Sequence, residues 1–218
     1  KVFPELNIWD NIGSVLDFKT SDYNTKKNEK IRSIFFKEAE SHKKNNILEK
    51  LPINCFRLNF INKAFPEAKY IVIKRNPLEV AASIEEKIGK GNWYGVNDNK
   101  LRLLIEYAKS NNVETKDFLK TDFNKGLLEW RLSNIAISKF FNDSKKDFFS
   151  INYSNLTLNP KEILTEAFNF LEIKYNEEAL INCCKLVHKN LRNNENIKNN
   201  IQNNQKEFLI SEGFIQEK

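Results

Sequence analysis

Tyr70–Ile73, YIVI, is a short, uninterrupted and mostly β-branched apolar run with polar residues on both sides. Such a run suits a strand buried on both faces of a parallel sheet; a strand with one wet face would alternate apolar and polar residues. The next residues narrow the choice further. Asn76 suits an N-cap, Pro77 suits the first helical position, and Glu79 falls three residues after the cap, as in a variant of the capping box. The segment therefore predicts a strand, a tight turn and a helix over 77–88. Phe148–Tyr153, FFSINY, predicts a second strand, and Pro160 opens a second helix over EILTEAFNFL. Strands alternating with helices imply an α/β domain with a parallel sheet, and such sheets bind ligands outside the carboxyl ends of their strands.

The remaining chain fills out that class. Residues 21–30 are polar and predict a loop, followed by an amphipathic helix over 31–41 with Ile31, Ile34, Phe35 and Glu38 at helical spacing. Residues 46–49, NILE, predict a short strand ending at Lys50, and 56–64 repeat apolar residues at helical intervals. Gly89, Gly91 and Gly95, with Trp93 and Tyr94 among them, predict a loop; 126–141 predict a helix; the asparagine-rich stretch 190–206 predicts weak helix at most. Neither a repeat nor a linker divides the chain, so residues 1–218 read as a single domain. Lys50, Arg75 and Tyr153 then all fall at strand ends, which is the arrangement of an anion site.

Composition excludes several classes. No apolar run approaches the length of a membrane span, and residues 1–20 lack the basic start and apolar core of a signal peptide. The net charge of +6 suits either a solvated lysine-rich surface or a taste for anionic ligands; no basic block interleaved with aromatics points to nucleic acid. Cys55, Cys183 and Cys184 have neither a disulfide pattern nor a zinc spacing, which implies free thiols in a reducing compartment and a cytoplasmic location. With His42 and His188 the only histidines, no cluster calls for a metal.

Phe65–Ile84, FPEAKYIVIKRNPLEVAASI, resembles the second nucleotide motif of the sulfotransferases that use 3′-phosphoadenosine-5′-phosphosulfate (PAPS): a strand, an Arg, a turn into a helix, and a Ser eight residues after the Arg. The resemblance implies that Arg75 and Ser83 hold the 3′-phosphate that distinguishes PAPS from ATP. An Arg fork matches phosphate oxygens, and Ser83 lies seven residues after Asn76, nearly two turns, on the side of the helix start. On their own the same residues also suit a capped helix with a surface Arg. Further matches follow the family's order: Glu49–Asn54, EKLPIN, with Lys50 ahead of Pro52; Leu128-Glu129-Trp130; and Ile151–Pro160, INYSNLTLNP, running into the helix that ends Phe170-Leu171. Ser154 stands where the family usually has Glu. Position 52 is Pro rather than the histidine base of the small-molecule branch, so the likeness leans to the branch holding the protein-tyrosine sulfotransferases and their bacterial relatives. Val2–Ile8, VFPELNI, is similar to the stretch from which that branch takes a carboxylate base, here Glu5.

The resemblance implies a P-loop nucleotide-kinase-like sulfotransferase fold, a central parallel sheet flanked by helices. It implies transfer of sulfonate from PAPS to a hydroxyl or amine, with Glu5 and Lys50 catalytic, Arg75 and Ser83 on the 3′-phosphate, and Tyr153 on the adenine. The acceptor class (small molecule, glycan or peptide) and the oligomeric state are not readable. None of the six glycines, Gly13, Gly89, Gly91, Gly95, Gly126 and Gly213, supplies the family's Pro-Arg-Ser-Gly-Thr-Thr loop that cradles the phosphosulfate. The alignment of Glu5 puts that loop and its strand before Lys1, and the absence of methionine agrees. Two rivals stand beside this reading: a binding module that keeps the 3′-phosphate site alone, and a related phosphotransferase, which would need a Walker loop and magnesium ligands.

Overall fold

The computed structural model describes residues 25–91, 93–187 and 203–216. In chain order its elements are α1 (Thr25–Ser41), a 3-10 turn (Pro52–Arg57), α2 (Leu58–Ala64), β1 (Tyr70–Lys74), α3 (Pro77–Lys90), a short 3-10 turn (Val96–Asp98), α4 (Asn99–Ser110), α5 (Asp122–Ser144), β2 (Phe148–Asn152), α6 (Tyr153–Leu158), α7 (Pro160–Leu171), α8 (Glu177–Leu186) and α9 (Asn203–Ser211). They fall into two compact units. One holds the residues up to Ala68, Tyr94–Val113 and Arg131–Lys145; the other holds Lys69–Trp93, Glu114–Trp130 and the residues from Lys146 on.

The first unit is helical. Ile31 and Phe35 on α1 meet Phe60 and Ala64 on α2, with Ile34, Leu51, Ile61 and Phe65 packed around them. Phe35 and Phe65 meet edge to face at 5.4 Å, and Phe56 and Tyr107 do so at 5.1 Å. Each such burial contributes about 1.5–3 kcal/mol, so this cluster decides how α1 and α2 sit. Arg32 closes the end of α2: one terminal nitrogen donates to the Ala64 carbonyl and the other pairs with Glu67 at 2.8 Å. Helix α4 was not among the expected elements, although Leu101, Leu104 and Ala108 carry the spacing and are buried.

The second unit holds the sheet. Strands β1 and β2 pair in parallel, Tyr70 opposite Phe148 through Lys74 opposite Asn152. This is the expected α/β class, with two strands among the described residues. Burial is less complete than YIVI suggests: Tyr70 and Val72 are buried, but Ile73 is 55% exposed. Ile73 sits next to the carboxyl end of β1, where the chain leaves the sheet for α3 and that end opens to water. Helix α7 covers β2 through Phe170, stacked on Phe149 at 5.8 Å.

Several boundaries differ from expectation. Helix α1 begins at Thr25, inside the segment read as loop. Residues 46–49 form no strand: Ile47 is 43% and Leu48 87% exposed, and among the described residues β1 and β2 pair only with each other. Helix α3 continues through Gly89 to Lys90. Helix α5 starts at Asp122, four residues before Gly126, because Thr121 Oγ1 accepts from the Asn124 amide at 3.1 Å as a cap. Tyr153 opens α6 rather than ending β2, with Asn152 capping that helix at Ser154 N and Asn155 N. Of the asparagine-rich stretch, residues 203–206 lie in α9 and the rest, 190–202, outside the described residues. No described helix is long and apolar enough to cross a membrane.

Candidate functional site

The parallel register decides what stands at the carboxyl end of the sheet. Lys74 pairs with Asn152, so the residues that follow, Arg75 and Tyr153, leave the two strands side by side. The Arg75 guanidinium lies over the Tyr153 ring, 4.6 Å from its centroid. An aromatic face under a guanidinium attracts it electrostatically and limits its rotation.

Local sequence holds Arg75 in this place. The Asn76 side chain accepts from Leu78 N at 2.9 Å and from Glu79 N at 3.4 Å, as expected of an N-cap, with Pro77 at the first helical position. The capping box is not completed in the usual way. Instead of turning back to the cap, the Glu79 carboxylate accepts from Arg75 Nε at 3.0 Å. Glu79 is only 2% exposed and Arg75 25%. The backbone is pinned from another direction: the Trp130 indole N–H donates to the Arg75 carbonyl at 3.1 Å. The neighbouring Glu129, also buried, accepts from the Trp93 indole at 3.0 Å, and Lys87 lies 4.4 Å above that ring. The Leu128-Glu129-Trp130 pattern thus fixes two indoles, one of them on the backbone of Arg75.

Gly126 lets α3 and α5 approach closely. A Cβ there would stand 2.8 Å from Ala81 Cα and 3.0 Å from Ala81 O, both backbone atoms that cannot swing aside. On α3, partial burial and then the Asp122 carboxylate push the Glu85 carboxyl above its ordinary range.

The expected site residues fare differently. Arg75 and Tyr153 are brought together in the second unit. Ser83 lies on α3 in the same unit, half-buried. Lys50 belongs to the first unit, in an exposed segment outside helix and strand just before the 3-10 turn at Pro52, where Asn54 donates to Glu49 at 3.2 Å. Glu5 lies outside the described residues. Sequence reading missed Glu79 as a partner of Arg75, although their i,i+4 spacing on a helix start carried that signal. It also missed the Trp130 contact, for which a separation of 55 residues leaves no local signal.

No curated protein and no solved structure matches the chain. The model of the Sulfotransferase family matches residues 19–177, well over half of its 218 residues and inclusive of α1 through α7. The chain therefore belongs to the sulfotransferase family.

Proposed function

We propose that this sulfotransferase takes its sulfonate from PAPS and passes it to a hydroxyl or amine. The observation that carries the reading is Arg75. A guanidinium stands at the carboxyl end of a parallel strand pair, beside the start of α3, with its Nε on a buried carboxylate and one face on Tyr153. Ligands of α/β sheets bind at that end, and the start of a helix favours negative charge. Among the described residues the two terminal nitrogens of Arg75 make no hydrogen bond, and their fork suits a phosphate.

In this reading Arg75 takes the 3′-phosphate, with Ser83 as the lesser contact, and Tyr153 also meets the adenine. The acceptor oxygen or nitrogen attacks sulfur in line. The new bond to sulfur forms as the bond from sulfur to the 5′-phosphate oxygen breaks, and adenosine 3′,5′-bisphosphate leaves. Lys50 offsets the charge that builds on the sulfonate and the bridging oxygen. Glu5 accepts the acceptor's proton. Group transfer of this kind rests on positioning and charge, with no covalent enzyme intermediate.

The test is incubation with PAPS and pooled hydroxyl and amine acceptors, following bisphosphate and sulfonated product together. Stoichiometric formation of both supports the reading. Release of bisphosphate without any sulfonated product from a broad acceptor pool, or no turnover at all, counts against it.

A further inference from the structure

Glu79 has no part in the chemistry proposed above, yet it is one of only two buried carboxylates among the described residues, the other being Glu129. Burying a carboxylate costs several kcal/mol unless a partner offsets it, and a buried ion pair is weak evidence for stability in itself. Such a pair needs another reason to be where it is, and its geometry supplies one. Glu79 takes Arg75 through Nε alone, at 3.0 Å. A carboxylate that met the guanidinium end-on would occupy both terminal nitrogens and compete with a phosphate. A carboxylate on Nε leaves that pair for a ligand. It also fixes the guanidinium plane from the side, while the Tyr153 ring fixes it from one face at 4.6 Å. Glu79 is itself anchored: it is buried in the first turn of α3, with its own amide held by Asn76.

We propose that Glu79 is a positioning residue that aims the terminal nitrogens of Arg75 at the nucleotide's 3′-phosphate. The proposal rests on the reading of Arg75 as the 3′-phosphate ligand. Its physical content is preorganisation: a long side chain already held in its binding rotamer loses less freedom when the ligand arrives.

Removing a carboxylate also removes a negative charge near the phosphate, which by itself would tighten binding. The comparison must therefore be made at equal charge. Glu79→Gln and Glu79→Leu are both neutral and of similar volume, but only Gln keeps an oxygen that can accept from Nε. Affinities for adenosine 3′,5′-bisphosphate and for adenosine 5′-monophosphate are measured by calorimetry in the parent, in both variants and in both combined with Arg75→Ala. Where Leu prevents folding, Glu79→Met replaces it. The expected result is that the Gln variant binds the bisphosphate about two- to tenfold more tightly than the Leu variant, the range for holding one flexible side chain. The monophosphate affinities should match, and the difference should vanish in the Arg75→Ala background. Equal bisphosphate affinity in the Gln and Leu variants, or a difference that persists without Arg75, overturns the proposal while leaving the nucleotide assignment standing. A parent that does not distinguish the two nucleotides removes that assignment, and this proposal with it.

Discussion

Two segments of this chain carry cations proposed for the same reaction, and they are built in opposite ways. Arg75 is enclosed: Glu79 holds its Nε, Tyr153 lies against its face, and Trp130 pins its carbonyl. Lys50 stands on exposed chain outside helix and strand between Lys43 and Leu51, with the exposed Leu48 close by in sequence. A side chain fixed by its neighbours can recognise a rigid, planar-forked target such as phosphate. A compact ammonium on a mobile stem acts as a point charge and needs no such enclosure to meet charge that develops during a reaction. In the proposed reading the enclosed Arg75 serves recognition, and the exposed Lys50 serves chiefly the chemistry.

The largest effects should come from the two residues proposed for the chemistry, Lys50 on the exposed segment and Glu5, which lies outside the described residues. Lys50→Ala should lower turnover about 10²–10³-fold, the usual range for losing one electrostatic stabiliser, with no change in melting temperature. Glu5→Gln should lower it about 10²–10⁴-fold with bisphosphate affinity nearly unchanged. Near-parental turnover in either variant, measured with an accepted acceptor, removes that residue from the chemistry.

Next in size is a stability effect on the enclosed side. Gly126→Ala puts a methyl against the Ala81 backbone, where overpacking costs about 1–3 kcal/mol. Better helix propensity returns at most about 1 kcal/mol. Denaturant unfolding should show net destabilisation; a variant as stable as the parent would mean that α3 and α5 are free to separate. A smaller effect is expected from Ser83→Ala, which should trim the bisphosphate preference by about 0.5–1.5 kcal/mol, the worth of one ordinary hydrogen bond. The same loss of affinity for the monophosphate would place Ser83 away from the 3′-phosphate.

The smallest effect concerns Glu85. Its folded pKa is raised by burial and by Asp122. The folded state therefore holds its proton more tightly than the unfolded chain, and stability falls as pH rises through the window between the two values. Glu85→Gln should then stabilise the protein slightly at pH 7. The gain should be small, because burial of Glu85 is only partial and water still reaches and screens it, and it should disappear in acid, where the carboxyl is protonated in both states. Melting curves at both pH values check this; a variant less stable at pH 7 contradicts it.

The enclosed region was the legible one. YIVI, Asn76 and Pro77 are local signals within a few residues of each other, and they place Arg75 at a strand end without any tertiary information. Glu79 was misread because a capping box supposes a backbone partner, whereas a neighbouring guanidinium one turn away binds a carboxylate more strongly. The sequence predicts a helix starting at Gly126, whereas the reason for a glycine there is tertiary, the backbone of Ala81 on another helix. NILE has the look of a strand, but a strand needs a neighbour, and four residues cannot say whether one exists. The Trp130 contact depends on where α5 lies once folded, which no short window of sequence contains.

The central claim is that Arg75 makes this chain a reader of the 3′-phosphate. Calorimetric titration of the parent and of Arg75→Ala with adenosine 3′,5′-bisphosphate and adenosine 5′-monophosphate tests it most directly. A charge-assisted hydrogen bond is worth about 1.5–3 kcal/mol, so the parent should prefer the bisphosphate by roughly 10- to 150-fold. In Arg75→Ala that ratio should fall to near one, with monophosphate affinity little changed. Equal affinities in the parent, or a preference that survives the loss of Arg75, would contradict the account.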